Sequence, residues 1–340
     1  MHEFDDVIDV RSPAEFALDH VPGAISAPVL GDEERARIGT LHKQASAFDA
    51  KKAGAALVAT NIARHLTTQF QDRPKSWRPL IYCWRGGQRS GGMAEIFSRI
   101  GWKCAQLEGG YRSYRRHVVQ ALQNLPLALD VRIVCGVTGS GKSRLLRALA
   151  ASGAQVLDLE DLARHRGSVL GSLPGAAQPS QKMFESLVCA ALAGFTHERA
   201  LFIEAESKKV GAVQVPDALM LRMRAAPCLR IEMDQALRIS LLKDEYAHFL
   251  ADGAALATQL DCLLALHGHE RIDEWKRLCA QGAWDPLVDR LLTEHYDPAY
   301  LRAMARNYAG YGQAKPLLIE AIDAPAMARA ANAALAINGQ

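Results

Sequence analysis

A chain of 340 residues, 49% apolar and 23% charged, has the composition of a globular protein of about two domains, which excludes disorder, collagen and coiled coil as readings of the whole. The net charge is only +3, no apolar run reaches the ~18 residues of a membrane span, and the start, Met1-His2-Glu3-Phe4-Asp5-Asp6, lacks the basic and apolar regions of a signal peptide, so a cytoplasmic protein is expected. Seven scattered cysteines, with no Cys-x-x-Cys pair, support neither a disulfide framework nor a zinc ribbon.

In chain order, Val7-Ile8-Asp9-Val10 reads as a short strand before a Ser-Pro break. Val21 to Val29, broken by Pro22-Gly23 and Pro28, reads as turns and short strands. Leu57, Ile62, Leu66 and Phe70 predict a helix over 53–70. Pro79 to Cys83 is a buried strand running into a Gly-rich turn, followed by a helix from Gly91 to Ile100, a strand at Ala105 to Leu107 and a basic helix from Tyr111 to Leu122 that ends near Pro126. A boundary there gives domains 1–125 and 130–340. A second α/β pattern begins with the strand Val131 to Cys135, a Gly-rich turn and a helix from Lys142 to Ala151. Val156 to Asp158, Leu201 to Glu204 and Leu229 to Glu232 are further strands separated by helical segments. Helical periodicity dominates from Asp234 to about Tyr308, with Asp285-Pro286 and Asp297-Pro298 as helix starts, before a strand at Pro316 to Ile319 and a closing Ala-rich helix. The expected fold class is α/β: an N-terminal parallel-sheet domain and a C-terminal P-loop domain with a helical extension.

The near-neutral total hides an uneven distribution. Residues 1–63 carry 6 basic and 10 acidic side chains, residues 64–116 carry 11 and 3, and residues 117–340 carry 23 and 24. The excess in 64–116 is either a footprint for a polyanion or a solvated surface of arginines. Arg112, Arg115 and Arg116, on one predicted helix, are the candidate contacts of such a polyanion.

Two segments carry chemistry. Gly136-Val137-Thr138-Gly139-Ser140-Gly141-Lys142-Ser143 fits G-x-x-x-x-G-K-[ST] between a predicted strand and a predicted helix. There Gly136, Thr138, Gly139, Ser140 and Gly141 would turn backbone N–H groups toward an anion at the helix N-terminus, Lys142 would reach the terminal phosphates, and Ser143 a bound Mg²⁺. A nucleotide is the default ligand, but any diphosphate ester presents the same charge. Glu204 and Glu206 share one side of a strand, with Glu206 nearer the P-loop end; Asp158 and Glu160 form a second acidic pair. The other segment is Cys83-Trp84-Arg85-Gly86-Gly87-Gln88-Arg89-Ser90, a thiol at a strand end before a Gly-rich loop and a helix N-terminus. Backbone N–H groups aimed at the sulfur, and the charges of Arg85 and Arg89, would lower the thiol's pKa and keep a thiolate available to attack or to carry a chalcogen. The other six cysteines read as core, and His267-Gly268-His269-Glu270 as a surface turn with no His or Cys partner nearby.

Asp9-Val10-Arg11-Ser12-Pro13-Ala14-Glu15-Phe16 and His20-Val21-Pro22-Gly23-Ala24 resemble the first signature of rhodanese-like sulfurtransferases, Cys83 to Arg89 resembles their active-site loop, and Leu107-Glu108-Gly109-Gly110-Tyr111 their closing motif. A rhodanese-like domain followed by a P-loop domain resembles the bacterial tRNA 2-selenouridine synthase family, as do Gly39 to Gln44, His165-Arg166-Gly167-Ser168, Gln178 to Glu185 and His295-Tyr296-Asp297-Pro298. The resemblance implies a transferase that replaces the sulfur of wobble 2-thiouridine (U34) by selenium, through an S-geranyl intermediate made from geranyl diphosphate, with selenophosphate as selenium donor. Cys83 would carry selenium as S-selanylcysteine. No tightly bound cofactor is expected, with Mg²⁺ a candidate at the P-loop; the resemblance implies the tRNAs for lysine, glutamate and glutamine as partners, and selenophosphate synthase as a further candidate partner. The family's Glu-Asp-Glu-Ser stands here as Glu204-Ala205-Glu206-Ser207, so any magnesium role moves to Glu204 or Glu206 or is lost. The rivals are an ATP-dependent tRNA sulfurtransferase, a sulfurtransferase–kinase fusion, and a nucleotide-switched binding module.

Overall fold

The computed structural model describes residues 3–44, 46–168, 170–171, 175 and 177–338. They form two compact units, Met1–Ala121 with Pro179–Ala190, and Leu122–Gln178 with Ala191–Gln340.

The first unit is built on four parallel strands, β1 (Asp6–Asp9), β2 (Ile25–Ser26), β3 (Pro79–Tyr82) and β4 (Ala105–Gln106), in the order β2-β1-β3-β4. Ile8 lies opposite both Ile25 and Ile81, and β3 is buried along its length, as a strand covered on both faces requires. Helices Ala47–Thr68 and Gln88–Ile100 contribute Ile62, Met93 and Phe97 to the core. Phe70, Trp77, Phe97 and Trp102 complete it, with Trp77 and Trp102 edge-to-face at 5.1 Å between centroids. The helix expected over 53–70 begins earlier, at Ala47, because Ser46 accepts a hydrogen bond from the Asp49 N–H and caps it. Helix Asp32–Gln44 was not expected: it buries no residue and so has no apolar stripe to read. The basic helix runs Gly110–Ala128, through Pro126. Residues 179–190 join this unit rather than following the chain around them, and Arg115, which pairs with Glu185 and donates to the Lys182 carbonyl, ties them to the basic helix.

The second unit has five parallel strands, β5 (Val131–Cys135), β6 (Gln155–Leu157), β7 (Leu201–Glu204), β10 (Pro227–Met233) and β11 (Gly310–Ile319), in the order β11-β10-β5-β7-β6, besides a short antiparallel pair, β8 (Lys209–Val210) and β9 (Val213–Gln214). β11 tolerates Pro316 because it is an edge strand. The chain leaves β5 toward β6 on one side and returns to β10 on the other, so the carboxyl end of β5 is a switch point where α/β sheets bind ligands. Helices Lys142–Ala151 and Ala324–Asn338 cover one face; Ala330, Ala331 and Ala334 let the second lie against Leu145, Leu146 and Leu149. The helical extension packs Phe249, Leu256, Leu260, Ile272, Trp275 and Leu287 into a separate cluster. The expected turn at His267-Gly268-His269 is a kink inside helix Leu264–Ala280, where Gly268 has φ 77°. Among the described residues no helix is long and apolar enough to cross a membrane.

Candidate functional sites: a cysteine loop and a P-loop

Cys83 follows β3 and is 4% exposed. The Gly87 N–H donates to Sγ at 3.2 Å and the buried Ser90 hydroxyl at 3.1 Å, while Gln106 Nε2 donates to Ser90 Oγ at 2.6 Å. Burial pushes the Cys83 thiol up, but the Ser90 hydroxyl and the backbone N–H groups of Ser90, Arg85 and Gly87 outweigh it, and the pKa is lowered. The loop keeps its shape through glycines. A Cβ on Gly110 would lie 2.3 Å from the Cys83 carbonyl and 2.5 Å from the Gly86 nitrogen, and the Tyr111 N–H donates to the Cys83 carbonyl at 2.8 Å. Below, Arg11 is 1% exposed; it holds Asp9 through both Nε and Nη2 and donates to the Asp19 carbonyl, while the Tyr111 hydroxyl donates to Asp19 at 2.7 Å. The first signature and the closing motif therefore meet as a buried polar scaffold under the cysteine.

The arginines differ from the sequence expectation. Arg89 is paired with Glu15 at 3.1 Å, so it supports helix Pro13–Leu18, and hydrogen bonds rather than arginine charge lower the thiol. Arg85 is exposed and has no side-chain partner among the described residues. Of the three arginines expected to meet a polyanion, Arg115 is spent on Glu185; Arg112 and Arg116 are exposed, and Arg116 donates to the Ser113 hydroxyl. Among the remaining cysteines Cys262 is exposed, because Leu260 and Leu263 take the inward positions of its turn.

In the second unit the P-loop joins β5 to helix Lys142–Ala151. Gly139 and Gly141 have φ of 76° and 82°, and a Cβ on Gly136 would lie 2.4 Å from Ser140 Oγ. Lys142 Nζ donates to the carbonyls of Gly136 and Val137 at 2.8 and 3.3 Å and lies 3.6 Å from Glu204; the Ser143 hydroxyl donates to Glu204 at 3.3 Å. Carboxylate oxygens of Glu160, Glu204 and Glu206 lie within 4.8 Å of one another. Burial, then the neighbouring carboxylates Glu204 and Glu206, pushes Glu160 up to about 10; burial and then Glu204 raise Glu206 to about 8; burial raises Glu204 as well. Gly167 is required against this trio, since a Cβ there would lie 2.8 Å from both Glu160 and Glu206. Asp158 instead caps helix Leu159–Ala163 by accepting from the Asp161 N–H.

Residues beyond the motif hold the loop. Arg238, 4% exposed, grips Asp297 through both terminal nitrogens and donates to the Thr138 carbonyl at 2.8 Å; the Gly136 N–H donates to the Tyr300 hydroxyl at 2.7 Å. Asp297 lies in the His295-Tyr296-Asp297-Pro298 stretch that resembles the family, but nothing in the sequence marks Arg238 or Tyr300. His295 Nδ1 is 2.9 Å from His267 Nε2, so the His267 turn does have a histidine neighbour, although among the described residues only the glutamate trio gathers three candidate metal ligands. A cleft of about 940 Å³ opens over the P-loop, lined also by Arg147, Arg166 and Tyr246. Next to it, sharing Thr138, Leu242, Tyr246 and Tyr296, is an apolar recess walled by Phe249, Leu256, Trp284, Leu287 and Leu291.

A parallel-sheet unit with a cysteine loop and a second unit with a P-loop define a rhodanese-like domain joined to a P-loop domain. The family model described as "Rhodanese-like domain" matches residues 1–117, and that described as "tRNA 2-selenouridine synthase AAA domain" matches residues 129–263. The chain is 34% identical to the tRNA 2-selenouridine synthase of Salmonella typhi, over 89% of this chain and 90% of the relative, and 31% identical to that of Aeromonas salmonicida, over 87% of each. The corresponding enzyme of Nitrosomonas europaea is 32% identical over 71% of this chain and 63% of its own length. The chain belongs to the tRNA 2-selenouridine synthase family, a family of tRNA-modifying transferases.

Proposed function

We propose that this protein replaces the sulfur of the wobble 2-thiouridine of tRNA by selenium in two half-reactions carried by two sites. At the P-loop, the thiocarbonyl sulfur attacks the C1 carbon of geranyl diphosphate; a C–S bond forms, the C–O bond breaks and diphosphate leaves. At the cysteine loop, water takes the phosphoryl group of selenophosphate and the selenide set free attacks a mixed disulfide of Cys83 with a small thiol, which leaves and places selenium on Cys83. That selenium attacks the carbon bearing the S-geranyl group, a C–Se bond forms, the C–S bond breaks and geranylthiol departs, and the small thiol then cleaves the S–Se bond and restores the mixed disulfide. Alkylation is useful because it turns a poor leaving group into a thiol.

The observation that carries this reading, over one based on ATP, is the apolar recess of about 70 Å³ beside the P-loop, which would take the end of a prenyl chain lying along the cleft. A prenyl diphosphate needs an anion cradle joined to an apolar wall, and Thr138, Leu242 and Tyr246 border both cavities. Lys142 would bind the diphosphate and stabilise the charge it gains on leaving. The glutamate trio and the Ser143 hydroxyl suit a divalent cation: their oxygens converge, and a cation would offset the burial and the mutual repulsion that raise Glu160 and Glu206. Ser143, Glu204 and Glu206 would hold Mg²⁺, which would neutralise charge on the diphosphate.

The test separates the half-reactions. Lys142→Ala loses charge-assisted contacts worth ~1.5–3 kcal/mol in binding; it should fail to geranylate tRNA yet convert pre-geranylated tRNA to the selenium product. Cys83→Ser should accumulate geranylated tRNA. Geranyl diphosphate should protect the P-loop unit against thermal unfolding more than ATP does. Loss of both half-reactions in each folded, tRNA-binding variant would refute the division of labour.

A further inference from the structure

We infer that the indole of Trp84 is a stacking platform for an unstacked base of the tRNA, presented beside Cys83; the inference rests on the assignment of Cys83 as the chalcogen carrier. Trp84 directly follows the cysteine and is 37% exposed, so part of its ring is open to solvent. The ring is held in place. It stacks on Tyr111 with centroids 5.2 Å apart and planes at 29°, and its carbonyl accepts from the Arg112 N–H at 3.2 Å. Tyr111 is fixed in turn: it is 3% exposed, its hydroxyl is bound to Asp19, and the buried Arg11 guanidinium lies 3.9 Å from its ring centroid. The indole is thus held on the side that meets Tyr111 and partly open to solvent.

The ring is therefore both supported from one side by Tyr111 and reachable from solvent. A rigid, exposed aromatic side chain flanked by cations is how proteins take hold of single-stranded RNA: the base stacks on the ring and the arginines meet the phosphates. Arg85 and Arg112 supply those cations, both exposed and both without a side-chain partner among the described residues. A tRNA-modifying enzyme must draw its target uridine out of the anticodon stack, and a stacking surface next to the reacting sulfur would offset the stacking lost there.

The experiment compares the full-length wild type with Trp84→Ala and Trp84→Phe, using an anticodon stem-loop RNA that carries 2-thiouridine at the wobble position. Three quantities are read: RNA affinity at several salt concentrations, KM and kcat for selenation, and the alkylation rate of Cys83. Trp84→Ala should weaken RNA binding about 10- to 100-fold and raise KM, with the salt slope and the Cys83 alkylation rate unchanged, because a base contact is lost and no phosphate contact is. Trp84→Phe should recover most of the affinity. RNA affinity within about twofold of wild type in Trp84→Ala would overturn the inference and leave the ring for a protein partner. So would a phenylalanine variant as defective as the alanine one, or a changed Cys83 alkylation rate, which would make the ring a prop for the loop. Cys83→Ser, run alongside, keeps the two readings apart. Retained selenation there would remove the carrier assignment, whereas indifference to Trp84 alone would remove only the platform.

Discussion

Replacing Ser90 by alanine tests what makes Cys83 reactive. The Ser90 hydroxyl is buried, donates to Cys83 Sγ at 3.1 Å, and accepts from Gln106 Nε2 at 2.6 Å, which polarises it toward the sulfur. A hydrogen bond to a charged acceptor is worth ~1.5–3 kcal/mol. At 1.4 kcal/mol per tenfold, the thiolate population of Ser90→Ala at a pH below its titration should fall by roughly 10- to 100-fold. The sign follows from the lowered thiol. In the wild type the alkylation rate climbs with pH through a midpoint below that of an ordinary cysteine and falls as pH drops through it. Stability linked to this thiolate is likewise complete above the ordinary thiol value and lost as pH falls through the lowered one. In Ser90→Ala burial is less opposed, so the rate profile should move to higher pH. The assay is alkylation of the intact protein over a pH series, read peptide by peptide because Cys262 is exposed and also reacts. Superimposable pH profiles would refute the reasoning and leave the backbone donors, such as the Gly87 N–H at 3.2 Å, to hold the thiolate alone. Arg89→Ala is the control: its charge is already matched by Glu15, so the Cys83 profile should move far less.

Gly110→Ala should abolish selenation while leaving P-loop ligand binding intact, measured separately, since its Cβ would meet the Cys83 carbonyl and Gly86 backbone. Arg238→Met leaves the half-buried Asp297 without its partner and frees the Thr138 carbonyl; a polar group left unpaired in this way costs about 1–3 kcal/mol, so denaturant unfolding of the second unit should shift and diphosphate affinity fall. Arg112→Ala with Arg116→Ala should weaken binding about uniformly across tRNAs and flatten the salt dependence by roughly 0.7–0.9 per lost phosphate contact. Arg115→Ala should instead destabilise the first unit, because that side chain is bound to Glu185 and the Lys182 carbonyl.

The sequence alone determined the parts of this protein in which a local pattern forces a local structure. β5, the Gly136 to Ser143 loop and helix Lys142–Ala151 were legible because the glycine spacing, the apolar run and the helix entry are contiguous. The same holds for β3 and the Cys83 loop, and the family was legible from these segments taken together. Only the tertiary structure decided what depends on residues far apart in the chain. It gave Arg89 to Glu15 and Arg115 to Glu185, since whether a cation is free or paired depends on which acid the fold brings within about 4 Å. It gathered Glu160 with Glu204 and Glu206, set Arg238 and Tyr300 on the P-loop, and opened an apolar recess beside it from helices whose periodicity reveals only that one face is buried. It also drew residues 179–190 into the first unit. Periodicity reports that a face must be covered, but the choice of what covers it is made by packing across the chain.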